Sequence, residues 1–223
     1  MLLLNQPSNE YHNYLSDPEK LYSLIRERLN NRTPQTHKYA DVPYRHAAVI
    51  IPLFFKKGES YLLFTKRTNE VEHHKGQISF PGGMHDAEDE DLKQTALRET
   101  WEEMGIKAED LTILGRTDDF LTNTNFMVRP FVAYFPHPYP YKVNTAEIAK
   151  VIEVPLRHLL NSKIFRVEKW KRKGILWDVH FYDYFGENIW GVTGFLLSNF
   201  LSIIFNPAHI HEYEPSNKNN SHR

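Results

Sequence analysis

FPGGMHDAEDEDLKQTALRETWEEMGI, residues 80–106, is the stretch on which the reading of this chain turns. It opens on a Gly-Gly turn, passes through an acidic loop and closes on a helix ending in two adjacent glutamates. In a helix from about Asp91 to Met104, successive residues advance about 100°. Ala96, Leu97, Thr100, Trp101 and Met104 then share one arc that can face a core. Arg98, Glu99, Glu102 and Glu103 share the opposite arc. Glu99 precedes Glu102 by three positions and Glu103 by four, spacings at which like charges repel by roughly 0.2–0.5 kcal/mol per pair. Glu102 and Glu103 also sit in the last turn, where the helix dipole disfavours anions. Selection for stability alone would place Lys or Arg there. Carboxylates converging at so unfavourable a place are what a hard divalent cation requires. Asp86, Glu88, Asp89 and Asp91, just upstream, read as solvating loop charge or helix-start charge.

Outward from this stretch the chain alternates apolar runs and turns. HAAVIIPLFF (46–55) is a near-continuous apolar run, as for a buried strand. Lys56-Lys57-Gly58-Glu59 makes a turn into YLLFTKR (61–67), which predicts a hairpin. Downstream, 111–114 and 129–135 read as strands, a Pro-rich loop PHPYPY follows, and 147–154 leads to a short helix near 156–160. Residues 164–170 and 175–184 predict a late hairpin, and 190–205 a closing amphipathic helix. Strands and helices mixed without strict βαβ alternation predict an α/β (α+β mixed) fold, a mixed β-sheet sandwiched between helices. Three parts are expected: an N-terminal helical extension and linker over 1–44, a main domain over 45–205, and a polar, disordered tail over 206–223. In the extension, Ser16 or Asp17 caps a helix whose Leu21, Leu24, Ile25 and Leu29 would dock on the main domain.

Composition narrows the function classes. Of 223 residues, 41% are hydrophobic and 25% charged, ordinary for a globular protein. The formal net charge of −1 provides no global field to gather nucleic acid or anionic membrane. Cysteine is absent, which excludes disulfides, thiol nucleophiles and Cys-zinc sites. MLLLNQPSNE has neither the basic start nor the long apolar run of a signal peptide, and no stretch approaches about 18 uninterrupted apolar residues. A cytoplasmic location is expected, with no nucleic-acid or membrane partner.

Within residues 83–106 the spacing is G-x6-E-x7-R-E-x2-E-E-x-G, carried by Gly83, Glu90, Arg98, Glu99, Glu102, Glu103 and Gly105. It resembles the Nudix box of the Nudix hydrolases. The usual box has five residues between its first Gly and first Glu; here there are six. With Phe80-Pro81-Gly82-Gly83 in front, the chain is similar to the coenzyme A pyrophosphatase branch. Leu62-Leu63-x-Thr65, Arg67 and Gly76-Gln77 follow that branch upstream of the box. Glu153-Val154-Pro155-Leu156 and Ile189-Trp190-Gly191-x-Thr193 match it downstream. Thr68 stands where the branch has Ser or Ala, and Glu72 where it has Arg.

The resemblance implies a Nudix fold and hydrolysis of a nucleoside diphosphate linked to another group, by water attack on phosphorus with Mg²⁺ or Mn²⁺. It implies Glu99 and Glu103 as metal ligands, Glu102 as a ligand directly or through water, and the Gly83 carbonyl as a further donor. Arg98 is expected to pair with Glu90 and tie the helix to its loop, a task that suits a guanidinium. The base is open among Glu102, Glu147 and Glu153. Substrate contacts are expected from Arg67, His74, Lys75, Gly82 and Gly83, and an aromatic such as Phe126, Tyr139 or Tyr141 could stack on adenine. The implied substrate is coenzyme A or its thioesters, cleaved to 3′,5′-ADP and 4′-phosphopantetheine or its acyl form. Other nucleoside diphosphate derivatives (ADP-ribose, a reduced dinucleotide) and a non-catalytic Nudix-fold binding module are the alternatives. A homodimer remains open.

Overall fold

The computed structural model describes residues 9–36, 44–70, 75–172 and 174–206. Expectations placed on His74, on Glu72 and on the 207–223 tail fall outside them.

Two helices lead the chain, α1 (Asn9–Leu15) and α2 (Pro18–Asn30). Asp17 caps α2 by accepting from the Lys20 N–H, and Pro18 starts it, where a missing N–H costs nothing. β1 (Arg45–Lys56) turns through Lys57 and Gly58, both at positive φ, into β2 (Glu59–Arg67). Two consecutive positive φ values suit the twist of a tight hairpin. Two short strands follow, β3 (Ile78–Ser79) and β4 (Gly82–Met84), then α3 (Leu92–Met104). Next come β5 (Thr112–Arg116), β6 (Phe120–Leu121), β7 (Phe126–Tyr134) and β8 (Ile148–Pro155). The short α4 (Leu156–Leu159) precedes β9 (Phe165–Arg172), β10 (Ile175–Tyr184) and β11 (Glu187–Trp190), and α5 (Gly191–Phe205) closes the fold.

The main sheet runs β3-β2-β1-β7-β5, with β4 beside β1, β6 beside β7 and β8 beside β2. Its β1–β7 pair is parallel and the other pairs are antiparallel, so the sheet is mixed. β9, β10 and β11 form a second antiparallel sheet. Alternation along the strands divides the core. Ile51, Leu53, Leu62 and Phe64 face one side, where Leu21, Ile25 and Leu29 of α2 and Leu197, Phe200 and Leu201 of α5 cover them. Ile50, Phe54 and Leu63 face the other, under Ala96 and Met104 of α3. The sheet is therefore covered by helices on both faces, as the element pattern predicts.

The facing of α3 differs from the sequence expectation. Trp101 is 45% exposed and Glu103 only 3%. The buried stripe is Thr95, Ala96, Thr100, Glu103 and Met104. The helix packs over β1 and β4, where the Gly82 N–H faces the Glu103 carboxylate.

Candidate active site

The site is built where α3 crosses β4. Asp91 caps the start of α3 by accepting from the Gln94 N–H at 2.8 Å. At its end Gly105 adopts φ +68°, and its N–H reaches the Trp101 carbonyl at 2.7 Å. Gly82 and Gly83 are required for closeness. A Cβ on Gly82 would lie 2.3 Å from the Ala48 carbonyl oxygen, and one on Gly83 would lie 2.4 Å from the Glu99 carboxyl carbon. The Gly83 backbone is thus in direct reach of Glu99.

Arg98 ties this region together, but not through Glu90. Its Nε and Nη2 donate to the two oxygens of Asp89, each at 2.9 Å. Nη2 also donates to the Met84 carbonyl at 3.1 Å, and Nη1 to Glu99 at 2.9 Å and Glu102 at 3.2 Å. Asp89 is buried and also accepts from the Thr95 hydroxyl at 2.8 Å and the Asp86 N–H at 3.0 Å. The Arg98 guanidinium, foremost, holds its carboxyl well below the usual carboxylate range. Glu90 is exposed, and its N–H donates to the Gln94 side chain. The expected Arg98–Glu90 pair is corrected to Arg98–Asp89. Five residues separate Gly83 from Asp89, the ordinary spacing of the acidic position in the box, so counting from the glycine would have found it. A carboxylate that accepts four hydrogen bonds is a tie, not loop solvation.

Three carboxylates gather beyond this tie. Burial pushes the Glu99 carboxyl up, although Arg98 pulls it back. Burial pushes Glu103 further, to about 8. Its contacts are the Gly82 N–H at 3.4 Å and Arg67 Nη1 at 3.5 Å, both too long to compensate a desolvated anion fully. Arg67 Nη2 lies 3.7 Å from Glu147, and the Arg67 Nε is buried without a hydrogen-bond partner among the described residues. Asn144 fixes the far wall: its N–H donates to the Glu103 carbonyl at 2.9 Å and its amide to Glu147 at 3.2 Å. Asn144 carried no sequence signal. The Thr68 N–H reaches the Glu147 carbonyl at 2.7 Å, which brings the loop after β2 to the same place.

Of the predicted residues, Arg67, Gly82, Gly83, Arg98, Glu99, Glu102, Glu103 and Glu147 come together. Glu153 does not: it pairs with Lys56 further along β8. Lys66 is taken by Glu187 at 2.7 Å. Lys75 is exposed in the turn before Gly76. Phe126 packs under Arg45, and the Tyr139 hydroxyl donates to Asp110 at 2.7 Å.

Among the described residues no three acidic or histidine side chains form a cage for a metal ion, and Glu99 and Glu102 accept from Arg98. The donor set nevertheless fits a hard divalent cation. It offers carboxylate oxygens, one desolvated and poorly compensated, beside a glycine backbone that a Cβ would block. Acidic side chains on a helix end facing a glycine strand, tied by an arginine, suit a hard cation and an anionic ligand. Comparison with known proteins then specifies the class: residues 44–177 match the NUDIX domain model, and the chain belongs to the Nudix hydrolase family. It is an enzyme of the type that acts on a diphosphate, in a family whose members typically use divalent metals. A Nudix hydrolase NudL of Photorhabdus laumondii is 35% identical over 153 residues, 69% of this chain and 81% of that protein. The NudL of Yersinia pestis (strain Pestoides F) is 33% identical over 184 residues, 82% of this chain and 92% of its own. Among solved structures, the MutT protein of Methanosarcina mazei Go1 is 26% identical, with 55% of this chain and 84% of that chain covered and a TM-score of 0.43.

Proposed function

We propose that this chain hydrolyses the diphosphate of coenzyme A or its thioesters, giving 3′,5′-ADP and 4′-phosphopantetheine or its acyl form, with Mg²⁺ or Mn²⁺. The observation that carries the reaction is the buried Glu103 between Gly82 and Arg67, beside Glu99. The substrate rests on the pattern from Leu62 to Gly83 and its later landmarks at Glu153–Leu156 and Ile189–Thr193.

Glu99, Glu103 and Glu102 would hold the cation, with the Gly83 carbonyl as a further donor. When bound, a divalent cation neutralises phosphoryl charge and lowers the pKa of a coordinated water. Arg98 aligns Glu99 and Glu102 from one side and is itself fixed by Asp89. Arg67 spans Glu103 and Glu147, so an entering phosphate can compete for its guanidinium. Glu147, half-exposed and held by Asn144, would accept the proton of the attacking water. Gly82 lets β4 lie close against β1, and Gly83 lets its backbone lie against the Glu99 carboxylate.

The test is a substrate panel with each metal, its products resolved by chromatography. Coenzyme A and acyl-coenzyme A are expected to be cut to 3′,5′-ADP and the phosphopantetheine arm. Intact coenzyme A beside cleaved ADP-ribose would reject the substrate assignment, and no cleavage with either metal would reject catalysis.

A further inference from the structure

The turn from Asn144 to Glu147 closes the far side of the site. A helix ends in carbonyls that its own turns cannot reach, and at the end of α3 this segment supplies their donors. The Lys142 N–H reaches the Met104 carbonyl at 3.0 Å, and the Asn144 N–H reaches the Glu103 carbonyl at 2.9 Å. A Cβ on Gly105 would lie 2.7 Å from the Lys142 Cβ, so the segment is seated directly on the helix end.

Asn144 engages every polar group it has. Beyond its N–H, its carbonyl accepts from the Glu147 N–H at 3.1 Å and the Ile148 N–H at 2.8 Å. Its Oδ1 accepts from the Ala146 N–H at 3.2 Å, an Asx turn. That leaves Nδ2 to donate to Glu147 Oε1, also at 3.2 Å. Thr68 grips the same turn from the end of β2. Its N–H donates to the Glu147 carbonyl at 2.7 Å and its hydroxyl to the Ala146 carbonyl at 3.2 Å. The backbone that carries Glu147 is therefore fixed from two sides.

The Glu147 carboxylate is held less firmly than its backbone. Among the described residues two side chains engage it, Asn144 at one oxygen and Arg67, 3.7 Å away, at the other. Arg67 also stands 3.5 Å from Glu103. Both Arg67 contacts are longer than a hydrogen bond, so a phosphate entering beside Glu103 can draw the guanidinium off with direct ones. Asn144 is then the remaining hold on the Glu147 side chain.

We propose that Asn144 is a positioning residue, whose amide keeps the Glu147 carboxylate aimed at the attacking water once the substrate has drawn Arg67 away. The inference rests on the reading of Glu147 as the base. The residue type suits the task. A serine would close the same turn through its hydroxyl but would have no amide to reach Glu147, and an aspartate would set a second carboxylate against the first. An asparagine accepts from Ala146 and donates to Glu147 at once.

The test is a double-mutant cycle on kcat with Mg²⁺ and coenzyme A, or ADP-ribose if that is what the panel shows to be cleaved. Asn144→Ser keeps the turn and removes the amide, so it is expected to melt at the wild-type temperature. Its kcat is expected to fall about tenfold, as for loss of one hydrogen bond to a charged group, with KM unchanged. Glu147→Gln is expected to lose about a hundredfold or more. Adding Asn144→Ser to Glu147→Gln should then change kcat by less than about twofold, since the group it serves is already gone. A merely structural role would lower the melting temperature and act equally in both backgrounds. Wild-type kcat in Asn144→Ser, or an undiminished further loss in the Glu147→Gln background, overturns the proposal and leaves the base standing. Wild-type turnover in Glu147→Gln rejects the base and the positioning role together, but not hydrolysis at Glu99 and Glu103. No cleavage by the wild type rejects the reaction, and with it any positioning for it.

Discussion

Glu103 is the residue at which stability and chemistry pull apart. Its carboxyl is buried and raised to about 8. An unfolded glutamate titrates near 4.3. Between those values the folded chain without metal binds a proton that the unfolded chain does not, so this group's contribution is fully present below pH ~4 and lost as pH rises through ~8. The metal-free protein should therefore lose stability between pH 5.5 and 8.5, and Glu103→Gln should flatten that slope in thermal melts at several pH values. The same variant should equal or exceed the wild type in melting temperature at pH 8.5, and its kcat should fall by orders of magnitude with Mg²⁺. Wild-type turnover in Glu103→Gln would remove the residue from the site. Since metal binding requires the anion, cation affinity should rise with pH over the same range.

At the scale of the element, α3 and its leading loop form one unit clamped by Arg98. Asp89→Asn breaks a bidentate charged pair within a loop that Thr95 and Asp86 also hold. It should cost about 2–3 kcal/mol. Glu90→Gln, on an exposed side chain, should stay within about 0.5 kcal/mol of wild type. Urea titration of both variants separates the partner of Arg98 from its neighbour. The bounds of α3 were legible because Asp91 is a strong local start signal and Gly105 a strong stop signal. Its facing was not. A hydrophobic arc centred on Leu97 and Trp101 assumes that burial follows apolarity, and here the Gly82 N–H and Arg67 face the helix, so a carboxylate takes a buried place. The joining of Arg67 to Glu103 was equally illegible, since it depends on β2 lying beside β1 and on no local spacing. The glutamate cluster, by contrast, could be found from repulsion alone.

At the scale of the molecule, the two helices ahead of the sheet are part of its core. Leu21 and Ile25 are fully buried and Leu29 nearly so, and Leu29 also presses on Gly115 of β5, where a Cβ would come within 2.7 Å. Arg32 adds an ion pair to Asp118. Ile25→Ala should therefore cost about 2–5 kcal/mol, as a core truncation does. A loss under 1 kcal/mol by denaturant melts would show α2 to be a loosely held appendage. The mixed sheet and its helical covers followed from the order of apolar runs. The β9–β10 hairpin followed as well, but its separation into a second sheet with β11 did not, because strand partners distant in sequence leave no local mark.

The parallel β1–β7 pairing sets Arg45 beside Phe126 and Leu53 beside Tyr134. Everything between those strands, the glycine pair, Asp89, Arg98 and the glutamates included, belongs to the loop that this pairing closes. Loop closure at such a separation is entropically dear and slow, although its cost grows only as the logarithm of loop length. Folding order follows from topology: the pairing of two strands distant in sequence has to hold before the carboxylates have a floor to rest against. Competence for catalysis should thus arrive late on the folding path, after most secondary structure is already present.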